Sequence, residues 1–160
     1  MSLAARREAD GRARTANTTA LVKKGNQRLF FLRKLRSFSV SRSILQRFYQ
    51  ATVESVLSYN SLCFHENLRE MDLNRLTKLT RTASHIVGGQ VTDLSSIYRK
   101  KAVKRVRDVL NDPSHPLHVE LASHRTTRSS SNRLRSMKAR TNRFAKSFLP
   151  SAIRLYNQHR

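Results

Sequence analysis

Acidic residues are scarce in this sequence. Ten Asp and Glu stand against 32 Lys and Arg in 160 residues, a net charge of +22. From Leu121 to Arg160 there is no acidic residue at all. Such an imbalance sets a compact chain against its own charge and favours polyanionic partners, nucleic acid first and an anionic membrane surface second. Cysteine is nearly missing. Cys63 stands alone, which excludes an internal disulfide framework and fits a reducing, intracellular location, nuclear or cytoplasmic. No apolar run reaches the roughly 18 residues of a membrane span. The opening MSLAARREADGRARTANTT lacks the apolar stretch of a secretory signal.

Several kinds of chemistry are missing as well. No histidine is followed two residues later by Asp, the usual opening of a dioxygenase iron site. Gly88-Gly89 stands alone, without a phosphate-cradling loop around it. His115, His118 and His124 lie close in sequence, but no pair of closely spaced cysteines accompanies them, so they read as turn and helix-cap residues rather than zinc ligands. Cys63, at an apolar helix end, reads as a buried, inert thiol. No catalytic residue, metal or cofactor is expected.

What the chain does have is helical periodicity. Lys23 to Tyr59 reads as two helices joined by the short link Ser37-Phe38-Ser39-Val40-Ser41. The first places Leu29, Leu32 and Leu35 on one face, with Phe31 and Phe38 in a neighbouring row. The second places Leu45, Phe48, Thr52, Val53, Val56 and Leu57 inward. A link this short folds the pair back as an antiparallel hairpin, with Ser39 or Ser41 available to cap the second helix. The second helix can continue through Leu62, Cys63 and Phe64, with His65-Glu66-Asn67 as the break. A third helix fits 71–87, with Leu73, Leu76, Leu79, Ala83, Ile86 and Val87 inward, stopped by Gly88-Gly89. A fourth fits 94–111 on the stripe Ile97, Tyr98, Ala102, Val106, Val109 and Leu110, ended by Asn111-Asp112-Pro113. A short helix or turn fits 116–123, and Pro150 suits the first turn of a last helix.

The expected architecture is all-α: a helical hairpin plus two to three further helices. Residues 1–18 are expected to be a disordered basic N-terminus, 19–123 the helical region, 124–142 a flexible basic linker, and 143–160 a C-terminal helix. The cations cluster in three places. Lys23, Lys24, Arg28, Arg33, Lys34 and Arg36 lie on the outside of the hairpin; Arg99, Lys100, Lys101, Lys104, Arg105 and Arg107 share the fourth helix; Arg133, Arg135, Lys138 and Arg140 lie in the linker. An isolated basic run is more often a solvated helix face than a binding site. The excess over the whole chain favours phosphate tracking on RNA or DNA, without sequence preference. Tyr49, Tyr59, Phe30 and Phe64 could stack on bases, although aromatics at helical spacing are more often core.

Four stretches carry a resemblance: NTTALVKKGNQRLFFLRKLRSFSVSRSILQRFYQATVESVLSY, LNRLTKLTRTAS, NDPSHPLH and RTNRFAKSFLPSAIRLYN. Together, and in this order from Asn17 to Asn157, they resemble the segment that follows the polymerase domain in LINE-type (non-LTR) retrotransposon reverse transcriptases. The resemblance implies a detached C-terminal fragment of an element-encoded polyprotein, positioned to hold template or element RNA. It departs from the family after Cys63, where a Trp and then glycines are usual and Phe64-His65-Glu66-Asn67 stand instead. It also implies that the polymerase carboxylates belong to a Tyr-x-Asp-Asp turn, which is not present; Asp10, Asp72, Asp93, Asp108 and Asp112 are never adjacent.

The stretch Thr19 to Phe38 is also similar to a short basic helical segment in the N-terminal region of the eighth AlkB homologue, a tRNA-modifying family. That similarity implies a shared amphipathic helix rather than dioxygenase chemistry. The expected partners are RNA or DNA, with no membrane and no small-molecule substrate. A protein partner on the apolar hairpin face is the alternative, as is a segment linked to tRNA modification.

Overall fold

A computed structural model describes residues 3–59, 61–123 and 133–159. Among them the secondary structure is helical, with no strand. The chain divides into two compact units. The first is Met1–Phe64 with Leu68–Leu94, and the second is His65–Asn67 with Ser95–Arg160.

In the first unit, α1 (Leu3–Ser37) is one long helix. It begins well ahead of Thr19, so the segment 1–18, expected to be disordered, is helical from Leu3 onward. α1 ends where the serine-rich link begins. Phe38 N–H and Ser39 N–H donate to the carbonyls of Leu35 and Arg36 at 3.2 and 3.0 Å. Ser39 then takes a left-handed backbone, φ 55°, which stops the helix. Ser41 is the N-cap residue of α2 (Arg42–Tyr49), but its hydroxyl lies against Ser43 Oγ at 3.1 Å and caps no backbone amide.

The helix continues through a π-helical turn, Gln50–Glu54, into α3 (Ser55–Ser58). Leu45, Tyr49, Val53 and Leu57 are all buried, each four residues after the last. At about 100° per residue, an α-helix would drift some 40° at each such step. The wider i→i+5 turn absorbs that drift and keeps the four side chains on one face. This corrects the sequence expectation at Val56, which is only half-buried while Leu57 is fully buried. Tyr49, read as more often core than base-stacking, is a core residue with 1% exposure.

α4 (Ser61–Phe64) follows, and α5 (Glu70–Val87) lies along α1. Leu29, Leu32, Leu45, Tyr49, Val53, Leu57, Leu76, Leu79, Ala83, Ile86, Val87 and Leu94 form one buried cluster. Gly25 sets the approach of α1 to α5: a Cβ there would stand 2.7 Å from Leu79 Cδ1. Gly88, φ 75°, ends α5 in the left-handed conformation, and its N–H donates to Ser84 O.

α6 (Leu94–Asn111), which belongs to the second unit from Ser95 onward, has the expected bounds and buries Ile97, Tyr98, Ala102, Val103, Val106 and Val109. Val103 takes the place expected of Leu110, which is half-buried. The 3₁₀ turn His65–Asn67 belongs to this unit through three contacts. His65 stacks on Tyr98 with ring centroids 4.3 Å apart, Glu66 pairs with Arg154 at 3.6 Å, and Asn67 Nδ2 donates to Lys146 O at 3.3 Å.

α7 (His118–Ser123), α8 (Asn142–Ala145) and α9 (Phe148–Gln158) complete the second unit. Pro150 sits in the first turn of α9, as expected. Thr141 caps α8 by accepting from Phe144 N–H at 3.2 Å. The expected linker 124–142 is only partly visible, since 124–132 lies outside the described residues. Its remainder is not free. Leu134 is buried, its N–H donates to Asn157 Oδ1 at 3.0 Å, and its carbonyl accepts from Asn157 Nδ2 at 2.8 Å. One amide side chain thus gives this segment the pairing a neighbouring strand would give.

Candidate nucleic-acid interface

On α6 the cations follow from the apolar stripe. Helical periodicity turns Ala102, Val103, Val106 and Val109 inward and leaves Arg99, Lys100, Lys101, Lys104, Arg105 and Arg107 exposed. Lys100, Lys104 and Arg107 fall in one row at spacings of four and three, with Lys101 and Arg105 in the next row. Successive members of a row rise about 4.5–6 Å along the axis. The one acid among them, Asp108, is also exposed and closes the run. This is a cationic ridge on a helix anchored by its opposite face.

On α1, Lys23, Lys24, Arg28, Arg33 and Lys34 are exposed. Arg36 is exposed too, but it is engaged differently. Its guanidinium donates to the carbonyl of His85 at 2.8 Å and to that of Ile86. These carbonyls belong to the last turn of α5, where a helix lacks donors of its own and carries partial negative charge. Arg42 lies over the next residues: a Cβ on Gly89 would occupy the place of its guanidinium. Arg36 is therefore a helix-capping residue of the first unit rather than part of its open cationic face.

Two grooves along α1 and α5 gather cations that the sequence reading did not connect. One is lined by Arg12, Thr15, Thr19, Lys23 and Arg69; the other by Asn26, Arg33, Arg75, Lys78 and Thr82. Arg75 is partly committed. Its Nη1 lies 3.6 Å from Asp72 Oδ1 and 3.4 Å from Thr19 Oγ1. Asp72 itself is buried, so the ion pair is what accompanies that carboxylate inside the unit. The spacing of Arg75, Lys78 and Thr82, on the flank of the α5 apolar row, was the available signal.

In the second unit Arg133, Arg135, Lys138 and Arg140 are exposed on irregular backbone that Asn157 holds at Leu134. All sixteen cations singled out from the sequence are thus at the surface, in two separate units.

The other candidates resolve differently. His115 Nδ1 accepts from Leu117 N–H at 3.1 Å and His118 Nδ1 lies 2.9 Å from Val109 O, so both serve the turn after α6. His118-Val119-Glu120 has a histidine-x-carboxylate spacing, yet His118 is occupied by that carbonyl. His124 lies outside the described residues. Among the described residues no group of three or more His, Cys, Asp or Glu is placed to hold a metal ion. Cys63 is exposed on α4, correcting the expectation of a buried thiol.

Asp112 accepts from Ser114 N–H at 3.0 Å and Ser114 Oγ at 2.6 Å, which holds its carboxyl below the ordinary 3.8. Burial, reinforced by Glu54 and Asp93, pushes the Tyr49 hydroxyl well above its ordinary value; burial and Glu66 do the same for Tyr98. No helix among the described residues is long and apolar enough to cross a membrane.

Residues 14–55 match the family described as Alkylated DNA repair protein alkB homolog 8, N-terminal. The match covers roughly a quarter of the chain: much of α1, the link, α2 and the π-helical turn. It is wider than the similarity read from Thr19 to Phe38. No curated protein and no solved structure matches the chain.

Proposed function

We propose that this protein is a non-catalytic helical module that binds RNA or DNA through phosphates, with little sequence preference. The observation that carries this reading is the α6 ridge, where six cations stand exposed on a helix whose opposite face is buried. A net charge of +22 gives the ridge a favourable long-range field for any polyanion. The resemblance of 17–157 to the post-polymerase region of LINE-type reverse transcriptases supports a role in holding nucleic acid for a partner domain that does the chemistry. Among the described residues the aspartates support the non-catalytic part: Asp72 is buried against Arg75, and Asp93, Asp108 and Asp112 are exposed and never adjacent.

Phosphate binding releases condensed counterions, so log affinity falls linearly with log salt. The slope is about −0.9 per neutralised phosphate on duplex DNA and about −0.7 on single strands. Replacing Lys100, Lys104, Arg105 and Arg107 by Gln keeps good helix formers at exposed positions, and is expected to flatten that slope and to weaken all sequences alike. The measurement is a fluorescence-anisotropy salt titration on two unrelated sequences. A flat response in the unaltered protein, or a preference for one sequence that survives the four substitutions, overturns the reading.

The match over 14–55 favours a second reading. On it, the α1–α2 hairpin is a docking segment that accompanies a nucleic-acid-modifying protein, and the cations orient that partner's substrate. Binding that depends on the hairpin cations alone, with the α6 substitutions silent, would favour it.

A further inference from the structure

Phe30 and Phe31 are adjacent on α1, yet neither enters the core. They are 52% and 55% exposed, and their rings meet edge to face with centroids 5.7 Å apart. The core of the first unit is filled from the opposite face of α1, by Leu29 and Leu32. Taking about 100° per residue, Lys23, Gln27, Phe30 and Lys34 fall within roughly 60° of one another, with Phe31 and Lys24 on one flank and Arg33 on the other. All of these side chains are exposed. No Asp or Glu occurs from Gly11 to Val53.

We infer that the outer face of α1 is a stacking platform for single-stranded nucleic acid, with Phe30 and Phe31 receiving bases while Lys23, Lys24, Arg33 and Lys34 receive the flanking phosphates. The inference rests on the proposed nucleic-acid reading and names its substrate class. Four arguments select this occupant. Two rings left in water cost free energy that an occupant recovers, and a base offers a planar π-face of matching size whatever its identity. The cations, about one turn beyond the rings on one side and about two turns before them on the other, match a polymer whose charges and rings alternate. An apolar helix laid on the same face would have to strip water from several cations and offers no carboxylate requirement that the face itself explains. Duplex nucleic acid fits the cations but keeps its base faces stacked inside, out of reach of the rings.

The test uses the full chain and the variants Phe30→Leu and Phe31→Leu, singly and together. Leucine keeps the apolar character and a good helix propensity but has no π-face. Both positions are exposed, so circular dichroism should be unchanged. Binding is followed by anisotropy on a single-stranded RNA, a duplex of the same length and anionic phospholipid vesicles, each over a range of salt. The expected result is about tenfold or greater loss of single-strand affinity in the double variant, with the salt slope and the duplex affinity unchanged. Phe30→Trp with Phe31→Trp should restore or raise single-strand binding.

Equal losses on single strand and duplex, or no loss on either, overturn the platform while leaving charge-driven binding intact. Vesicle binding that exceeds single-strand binding and persists in the Leu variants also overturns it, since a lipid surface needs apolar area rather than π-faces. If the unaltered protein binds neither strand, the nucleic-acid reading falls first, and the platform with it.

Discussion

The Arg36 guanidinium, near the end of α1, donates to the backbone carbonyl of His85 at 2.8 Å, in the last turn of α5. It ties the end of one helix to the end of another, fifty residues later in sequence at Ile86. A positive charge here serves the α5 macrodipole as well as its free carbonyls, and no other residue of the last α5 turn supplies a lysine or arginine.

Arg36→Gln is therefore expected to lower the stability of the first unit by about 1 kcal/mol, a charge-assisted hydrogen bond at a partly solvated helix end. The same substitution should leave the salt slope of nucleic-acid binding unchanged. Urea unfolding followed by circular dichroism reads the first quantity and the anisotropy titration the second. A stable variant with a flattened slope would return Arg36 to the binding face.

Gly25 separates two opposing effects. Alanine gains about 0.5–1 kcal/mol of helix propensity over glycine. Its Cβ, however, meets Leu79 Cδ1 at 2.7 Å, inside contact distance. Because that atom is the end of a side chain, Gly25→Ala is expected to be near neutral. Gly25→Leu cannot be accommodated by one rotamer and should cost about 1–3 kcal/mol by overpacking. Urea midpoints for the two variants check this; a stabilised Leu variant would mean that α1 and α5 are not so closely packed.

Leu57 and Val56 test the register of the helical segment 42–58. Leu57→Ala is expected to cost about 2–5 kcal/mol, as for a fully buried leucine. Val56→Ala should cost clearly less, of the order of 1 kcal/mol, because Val56 is only half-buried. Leu32→Ala, on the facing helix, should resemble Leu57→Ala. A reversed order at 56 and 57 would show an uninterrupted α-helix in place of the π-helical turn.

The two buried tyrosines set an alkaline limit. In each, the hydroxyl is raised above the ordinary value of 10.0, chiefly by burial. The folded chain then holds the proton more tightly than the unfolded one. The associated stability is fully present below that ordinary value and is lost as pH rises above it. Tyrosinate absorbance and circular dichroism recorded together should show that Tyr49 and Tyr98 ionise with loss of helix, and Tyr49→Phe should move the transition to higher pH. Ionisation of both with helicity intact would contradict their burial.

Much of the fold was legible in the sequence because periodicity and terminators agreed. The bounds of α6, the end of α5 at Gly88, and the serine link between α1 and α2 each combine an apolar stripe with a stop signal. Three features were not legible. The start of α1 at Leu3 runs through polar, charged residues that carry no apolar period. The π-helical turn breaks the very period used to assign faces, so Val56, expected inward beside Leu57, is only half-buried. The clamp between Asn157 and Leu134 depends on a contact 23 residues apart that neither segment announces.

The candidate site divides in the same way. That the cations are exposed follows from the stripes opposite them. That Arg36 caps a helix, and that Arg12 and Arg69 share a groove with Lys23, depends on α5 lying along α1, which no local pattern records.

The π-helical turn Gln50–Glu54 holds one residue more than regular α-helix would need between the buried positions on either side of it. Gln50 and Ala51 are exposed, and exchanges of side chain there touch nothing in the core. Removing either residue lets the turn close into regular α-helix, and Val53 and Leu57, each moved into the place of its predecessor, stay on the face of Leu45 and Tyr49. A single-codon deletion in a helix ordinarily turns every later side chain by about 100°; at this turn alone the segment can lose a residue and keep its buried face.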